Sequence, residues 1–481
     1  MRHIKHHLHP RVIIFLPAFL LAFIAWGPVH GAASDSGRAD DPALRLTLEE
    51  AVSLALRSNR NLGLAANSVQ SSELSLQGAR SAFDFKYRPT GNIGAADGEA
   101  LMGAGMAFEK RLYSGSRLGV TPLVSRSGES THALVDLSVQ IPLLQGRGEM
   151  VNRDAIDQSA FSLRSSGRGL HLSRVDTVMQ TVSAIYGIIE QRKVIALLEV
   201  QVREMEIHVE TARMKKQVEL ATAMDVYRAL IRLKDMQDSL SAAESGLSRS
   251  RNSLKRILAL PLDQSVDVSA PFTCRPVAFS LEVAIDSALR NRKEIAQAED
   301  ALAEAERQVK VARDDLSPDL DLVVDYERVS DTDEFGFSVD QPEGRWQINL
   351  VSSTDWARTR EKARYRQGLL EVENARLRIQ ARRDQIIAEV RNQLEVLENW
   401  QDRIRIKREQ VRQARGKQKL SRIKFKHSMA DNFDLVEAES ELLRASAGLA
   451  GARAAYIVNQ YRLRAVMGNL LNAEGKLDLE L

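Results

Sequence analysis

The sequence has 481 residues, of which 27% are charged and only 5% aromatic, a composition more typical of long helices than of a β-rich globule. The formal net charge of +3 is accounted for by Arg2, Lys5 and Arg11, so the rest of the chain is balanced. This balance argues against a general affinity for nucleic acids or other polyanions, and any basic function must be local.

Residues 1–33 have the pattern of a secretory signal peptide. A basic start precedes the apolar stretch Val12–Trp26, and Gly31-Ala32-Ala33 supplies small residues for cleavage after Ala33. The alternative is a single membrane anchor, but this stretch is shorter than the ~20 residues that a membrane-spanning helix needs. Residues 34–45 are predicted to form a flexible lead-in.

The remaining sequence shows no machinery for catalysis. Cys274 is the only cysteine, which excludes an intramolecular disulfide and a cysteine-based zinc site. We find no catalytic triad, metal-ligand spacing or phosphate-binding loop, and we therefore predict no enzyme activity, no cofactor and no metal site. No later stretch is apolar over ~18 residues, which argues against an α-helical membrane protein.

The chain carries the same motifs twice. Thr47 and Glu50 have the spacing of a helix capping box, and Phe279–Ile285 repeats this opening at an offset of 233 residues. Later stretches around Asp225 and Asp434 match at an offset of 209 residues. The matches indicate an internal duplication in which the first copy contains 24 extra residues.

We predict a first repeat over residues 46–270 and a second over residues 271–481. Each contains short helices, then strands, then a long antiparallel helical hairpin. The predicted bounds are about 85–142 for the strands and 149–259 for the hairpin of the first repeat, and about 319–353 and 356–468 in the second, before a C-terminal tail. The longest helices would extend roughly 100 Å.

Alternating apolar and polar residues predict strands at Ala133–Ile141, Leu320–Glu327 and Trp346–Leu350. The Gly-rich region Tyr87–Ser125 has room for one long strand or for an extra hairpin. Strands of an ordinary soluble sheet would show the same alternation. A single hairpin is marginal alone, whereas hairpins from several subunits can close into a membrane barrel with an apolar outside.

With its helices, strands and hairpins in this order, the chain resembles the TolC-like outer-membrane efflux protein family. The resemblance covers nearly all of the sequence after the signal peptide. It is carried by Leu46–Ala51 and its echo at 279–284, Gln140–Gly148, Leu316–Leu320, the two hairpin bends, and the endings Arg251–Leu262 and Tyr461–Leu470.

The resemblance implies a mainly α protein with a small membrane β-barrel contribution. Three copies would form a periplasmic α-barrel from their hairpins and share one transmembrane β-barrel. The implied function is an outer-membrane channel of a tripartite efflux or type I secretion system, spanning into the periplasm. Its implied partners are two further copies in a homotrimer, a periplasmic adaptor (membrane fusion) protein, an inner-membrane transporter and outer-membrane lipid, but no nucleic acid. The alternative is a periplasmic coiled-coil protein without a pore, which would have no use for the strands.

The hairpin bends are implied to form the periplasmic entrance and the adaptor contact. Where a Val-Gly-Leu type of motif has glycine, this chain has Glu219 and Ser428, so either the bends avoid positive φ or they use a different turn. Asp225 and Asp434 suit a gating role or simple helix N-terminal chemistry. The residues assigned to this contact are Val218, Glu219, Leu220, Asp225, His427, Ser428, Met429 and Asp434.

Residues 403–426 contain eleven basic residues and one acidic residue. The simplest interpretation is a solvated helical face. The alternative is a basic lower tunnel that selects an acidic adaptor, an anionic membrane surface or anionic cargo, its field screened beyond ~8 Å. The lysines assigned to this pore field are Lys215, Lys216, Lys424 and Lys426.

Overall fold

The structure is a computed structural model of the full chain. It describes residues 44–96, 99–127, 130–219, 221–274, 276, 280–332, 343–427, 429, 432–472 and 477. The predicted signal peptide and most of the predicted lead-in lie outside these residues. Leu44 and Arg45, at the end of that lead-in, belong instead to a short strand, β1 (Leu44–Thr47).

The described residues of the first half form five α-helices. Thr47 caps the first of them, and its side chain and that of Glu50 form the predicted capping box. A short break at Arg153 divides the predicted long descending helix into a single turn and a helix of 64 residues. The helices are α1 (Leu48–Ser58), α2 (Arg60–Arg80), α3 (Glu149–Asn152), α4 (Asp154–Gln217) and α5 (Ala223–Ile257).

The part of the second half that the structure describes forms four α-helices in the corresponding places. Ser280 caps the first of them by accepting a hydrogen bond from the backbone N–H of Val283. They are α6 (Leu281–Asn291), α7 (Lys293–Asp314), α8 (Thr359–Lys426) and α9 (Asn432–Met467). With 68 residues, α8 extends about 100 Å. The predicted long helical hairpins are therefore α4–α5 and α8–α9.

Among the described residues, the strands form one six-stranded antiparallel sheet and one small parallel pair. The pair joins β1 to β6 (Val266–Ser269). The large sheet has the order β2-β3-β4-β5-β7-β8. Its strands are β2 (Lys86–Ala96), β3 (Glu99–Arg111), β4 (Arg117–Ser127), β5 (Ser130–Pro142), β7 (Asp321–Thr332) and β8 (Glu343–Val351).

The Gly-rich region of the first half forms an extra hairpin, so that within the described residues this half contributes β2–β3 and β4–β5 while the second contributes β7–β8. The pairing of β5 with β7 joins the two halves, with Leu137 opposite Tyr326. The sequence left one long strand or an extra hairpin open, and the structure places the hairpin β2–β3 there, followed by β4.

The helices bury their apolar stripes against one another. An apolar stripe of α4 is part of the largest core cluster, where Val178, Val182 and Ile185 are fully buried beside α1 and the end of α9. A second cluster joins α6, α8 and α9 around Ile386 and Leu463. None of the described helices has an apolar stretch of the length that a bilayer crossing needs.

Candidate functional site at the hairpin bends

The structure brings the two hairpin bends to the same end of the molecule. The ammonium of Lys215, near the end of α4, lies 4.1 Å from the centroid of the Phe425 ring near the end of α8. Behind these ends, an apolar cluster that includes Met205, Val226 and Val436 packs the two hairpins together. The bends therefore form one surface built from both halves of the chain.

The first bend retains a left-handed turn without glycine. Glu219 has φ +58°, and its backbone N–H donates to the carbonyl of Lys216 at 3.1 Å. A left-handed conformation costs a residue with a side chain about 1–2 kcal/mol. Of the two expectations for this position, avoidance of positive φ is therefore wrong for the first bend. Leu220 lies outside the described residues.

Asp225 closes a capping box at the start of α5. Thr222 donates to its Oδ2 from the backbone N–H at 2.9 Å and from the hydroxyl at 2.7 Å. In return the backbone N–H of Asp225 donates to the Thr222 hydroxyl at 3.3 Å. The hydrogen bonds from the Thr222 side chain and backbone lower the pKa of the Asp225 carboxyl below its ordinary value. This carboxylate thus serves the local helix start, as the simpler interpretation expected.

The second bend is described at His427 and Met429, while Ser428 lies outside the described residues. The backbone N–H of Met429 donates to the carbonyl of Lys424 at 2.8 Å, which closes the end of α8. Asp434 is exposed and stands in the first turn of α9, the place that Asp225 has in α5.

Exposed apolar side chains surround both bends. Val218 is 64% exposed, Met429 71% and Phe433 58%. Exposed apolar side chains that gather in one patch mark contact surfaces. Of the assigned contact residues, Val218, Glu219, His427, Met429 and Asp434 are exposed, and Asp225 is half-buried.

The basic run on α8 is partly compensated by neighbouring groups. Lys417 contacts Glu441 at 2.9 Å, Arg412 contacts Glu409 at 2.7 Å, and the Arg403 guanidinium lies over the Trp400 ring. Of the four assigned lysines, Lys216 and Lys424 are exposed and Lys215 is half-buried; the side chain of Lys426 is not described. The uncompensated positive charge is thus smaller than the sequence alone indicates.

A buried polar network ties the hairpins together one to three turns behind the bend surface. His208 of α4 and Glu439 of α9 are 7% and 1% exposed, and His208 Nε2 lies 2.9 Å from Glu439 Oε2. An ionised carboxylate only accepts hydrogen bonds, so Nε2 carries the proton. Arg422 of α8 completes the network, contacting Glu439 at 3.3 Å and Glu204 at 3.2 Å.

The network fixes the charge of Glu439. Burial opposes its ionisation, but hydrogen bonds and charge from His208 and Arg422 prevail and lower the pKa of its carboxyl. Oxygen and nitrogen atoms of Glu204, His208 and Glu439 lie within 4.8 Å of one another, a spacing that suits a metal ion. The Arg422 guanidinium already contacts both carboxylates, so a cation would have to displace it.

Sequence reasoning missed this network, although a signal was present. His208 stands at helical spacing among Met205, Val209 and Ala212 in the buried stripe of α4. A polar residue inside such a stripe predicts a buried partner. The identity of that partner, more than two hundred residues away, could not be predicted from the same pattern.

Comparison with known proteins agrees with this architecture. Residues 284–469 match the family model of the outer membrane efflux proteins. None of the curated protein sequences matches the chain.

Solved outer-membrane channels share the fold across nearly the whole chain. OprN has 17% identity and a TM-score of 0.68, over 89% of this chain and 91% of that chain. CmeC of Campylobacter jejuni has 14% identity and a TM-score of 0.69, over 90% and 87%. VceC of Vibrio cholerae has 14% identity and a TM-score of 0.68, over 88% and 96%.

The resemblance predicted from the sequence is thus confirmed, because solved channels share the fold and residues 284–469 match the family model. The chain has the fold of the TolC-like outer-membrane channels, and its second half is similar to the outer membrane efflux proteins.

Proposed function

We propose that this chain is the outer-membrane channel of a tripartite efflux or type I secretion system. It would act as a passive conduit from periplasm to exterior, driven by an inner-membrane transporter through a periplasmic adaptor. Three copies would share one β-barrel and one α-barrel, after cleavage of the signal peptide near Ala33. No catalytic step is part of this proposal.

The observation that carries the proposal is the exposed apolar face of the large sheet. On β8, Trp346, Ile348 and Leu350 are 69%, 70% and 67% exposed. A periplasmic coiled-coil protein without a pore would gain nothing from such a face, and water would oppose it. A bilayer favours it, because strands in membrane barrels direct apolar residues to the lipid.

Fractionation tests this proposal against the coiled-coil alternative. We expect the mature chain in the outer membrane, and an unboiled gel should show a trimer that heating converts to monomer. A monomer in the soluble periplasmic fraction would refute the channel.

We further propose that the bend surface binds the adaptor. Its exposed apolar residues, Val218 and Met429, would supply the contact, and the left-handed turn at Glu219 would present it. A photo-crosslinking residue at Val218 or Met429 should capture the adaptor in cells. Leu64 of α2, which is 68% exposed, is the matched control, and equal capture from that position would contradict the assignment.

The assigned lysines are proposed to set the charge of the tunnel near the bends. Reversal of Lys424 and Lys426 to glutamate should shift single-channel ion selectivity toward cations. Reversal of Lys310, an exposed lysine of α7, serves as the control. Unchanged selectivity in the double variant would show that these two lysines do not shape the pore field.

A further inference from the structure

The large sheet has two open edges, β2 and β8. Within the described residues, β2 pairs only with β3 and β8 pairs only with β7. All five pairings are antiparallel, so β2 and β8 also run in opposite directions. An open edge is a template for pairing with another strand, and these two edges have the directions that antiparallel pairing requires.

One mainly apolar face extends from β2 to β8. On the edge strand β2, Ile93 is 85% exposed and stands opposite Met102 of β3. Alternation carries this face through β4 and β5, where Val120 stands opposite Leu137. It ends on β8, where Ile348 stands opposite Val324.

A single cross-strand row of the apolar face contains four aromatic residues. Aromatic residues collect at membrane interfaces in barrels, and this row has aromatic members on both the extra hairpin and the opposite edge. The row consists of Tyr87, Phe108, Val120, Leu137, Tyr326 and Trp346.

The other face of the sheet is mainly polar, also from edge to edge. On β2 it carries Thr90 and Asn92, opposite Gly105 and Gly103. On β7 and β8 it carries Asp325 opposite Gln347. The extra hairpin β2–β3 thus has the same two-sided pattern as the other four strands, which is the pattern of a barrel wall and not of a loop folded over one.

We propose that β2 of one copy pairs with β8 of a second copy, so that all six strands of each copy belong to the wall. This inference rests on the proposed trimeric channel and makes its barrel 18-stranded. With strands ~4.8 Å apart and tilted ~40°, the barrel would be about 36 Å across, against about 24 Å for a wall of four strands per copy. Barrels of 16–18 strands leave an aqueous channel, so the outer pore would admit large hydrated cargo.

Thiol crosslinking in the full chain distinguishes pairing of β8 with β2 of the next copy from pairing of β8 with β4 of the next copy. In a Cys274→Ser background, Ile348→Cys on β8 is combined in turn with Tyr87→Cys, Gly91→Cys or Ile93→Cys on β2. A matched series combines Ile348→Cys with Leu118→Cys, Val120→Cys or Val124→Cys on β4, the edge that would be free if the extra hairpin lay outside the wall. Several positions are used in each series so that each tests a different register between the two strands.

We expect a short thiol-specific crosslinker to give covalent dimers and trimers on a boiled gel in the β2 series alone. Products in the β4 series instead would overturn the six-strand wall while leaving the channel proposal intact. Absence of products from both series would also overturn the pairing of β2 with β8. The unboiled gel then separates the cases, because a trimer preserves the proposed function and a monomer removes it as well.

Discussion

Replacement of His208 by alanine tests whether the buried network holds the two hairpins together near the bends. The variant leaves the Glu439 carboxylate, 1% exposed, with Arg422 as its remaining partner in the network. Leaving a buried group without one of its hydrogen-bond partners costs about 1–3 kcal/mol, and more when the group is charged. Because Glu439 is charged while Arg422, which is 45% exposed, remains in contact, we take a figure of about 3 kcal/mol, which raises the population of locally opened hairpins about 100-fold.

Hydrogen exchange of the detergent-solubilised chain measures this opening. Peptides within residues 200–212 of α4 and 435–445 of α9 should exchange about 100-fold faster than in the unsubstituted protein. His171→Ala, a half-buried histidine of the same helix, should leave both peptides unchanged. His208→Gln keeps a hydrogen-bond donor and should recover part of the protection.

Two outcomes would refute the reasoning. If exchange in His208→Ala stays within a few-fold of the unsubstituted protein, the network does not hold the hairpins. If His208→Gln behaves like His208→Ala, the loss comes from packing against Phe425 and not from the hydrogen bond to Glu439.

Three smaller predictions concern the same end of the molecule. The pKa of the Glu439 carboxyl is lowered in the folded chain, so its contribution to stability is complete above its ordinary pKa of about 4.5 and is lost as the pH falls through the folded value. The helical melting temperature should therefore fall less between pH 5 and pH 3 in Glu439→Gln than in the unsubstituted protein. An equal fall in the two proteins would contradict this. Glu219→Gly should stabilise the first bend by about 0.5–1 kcal/mol, because it removes left-handed strain of about 1–2 kcal/mol at some cost in unfolded-state entropy. Glu219→Ala should give no such stabilisation. Slower hydrogen exchange of residues 214–225 in the glycine variant alone would measure this gain. Thr222→Ala should destabilise the start of α5 by about 1 kcal/mol, while Thr222→Ser retains the cap, and equal exchange in the two variants would exclude a capping role.

The first hairpin bend shows that a left-handed turn can form here without glycine. Glu219 replaces the expected glycine, yet it adopts φ +58°. Helix endings commonly use a left-handed residue. The strain is thus a property of this chain that neither the motif nor the fold alone predicts.

Local patterns in the sequence determined much of the architecture. The long helices and the Thr47–Glu50 capping box follow from spacings of a few residues, because helical periodicity and capping depend on neighbours in the chain. The duplication follows from short motifs that match at offsets of 233 and 209 residues. These features were predicted close to their observed bounds, apart from the break at Arg153.

Only the tertiary structure decided which distant residues meet. The extra hairpin was ambiguous because glycines weaken the alternation of Tyr87–Ser125, and its place in the sheet depends on pairing with β4. The contact of His208 with Glu439 spans 231 residues, and no local period specifies such a pair. Secondary structure is encoded in short-range spacing, whereas the open edges of the sheet and the buried network arise when separate elements pack, which is why the sequence alone left them open.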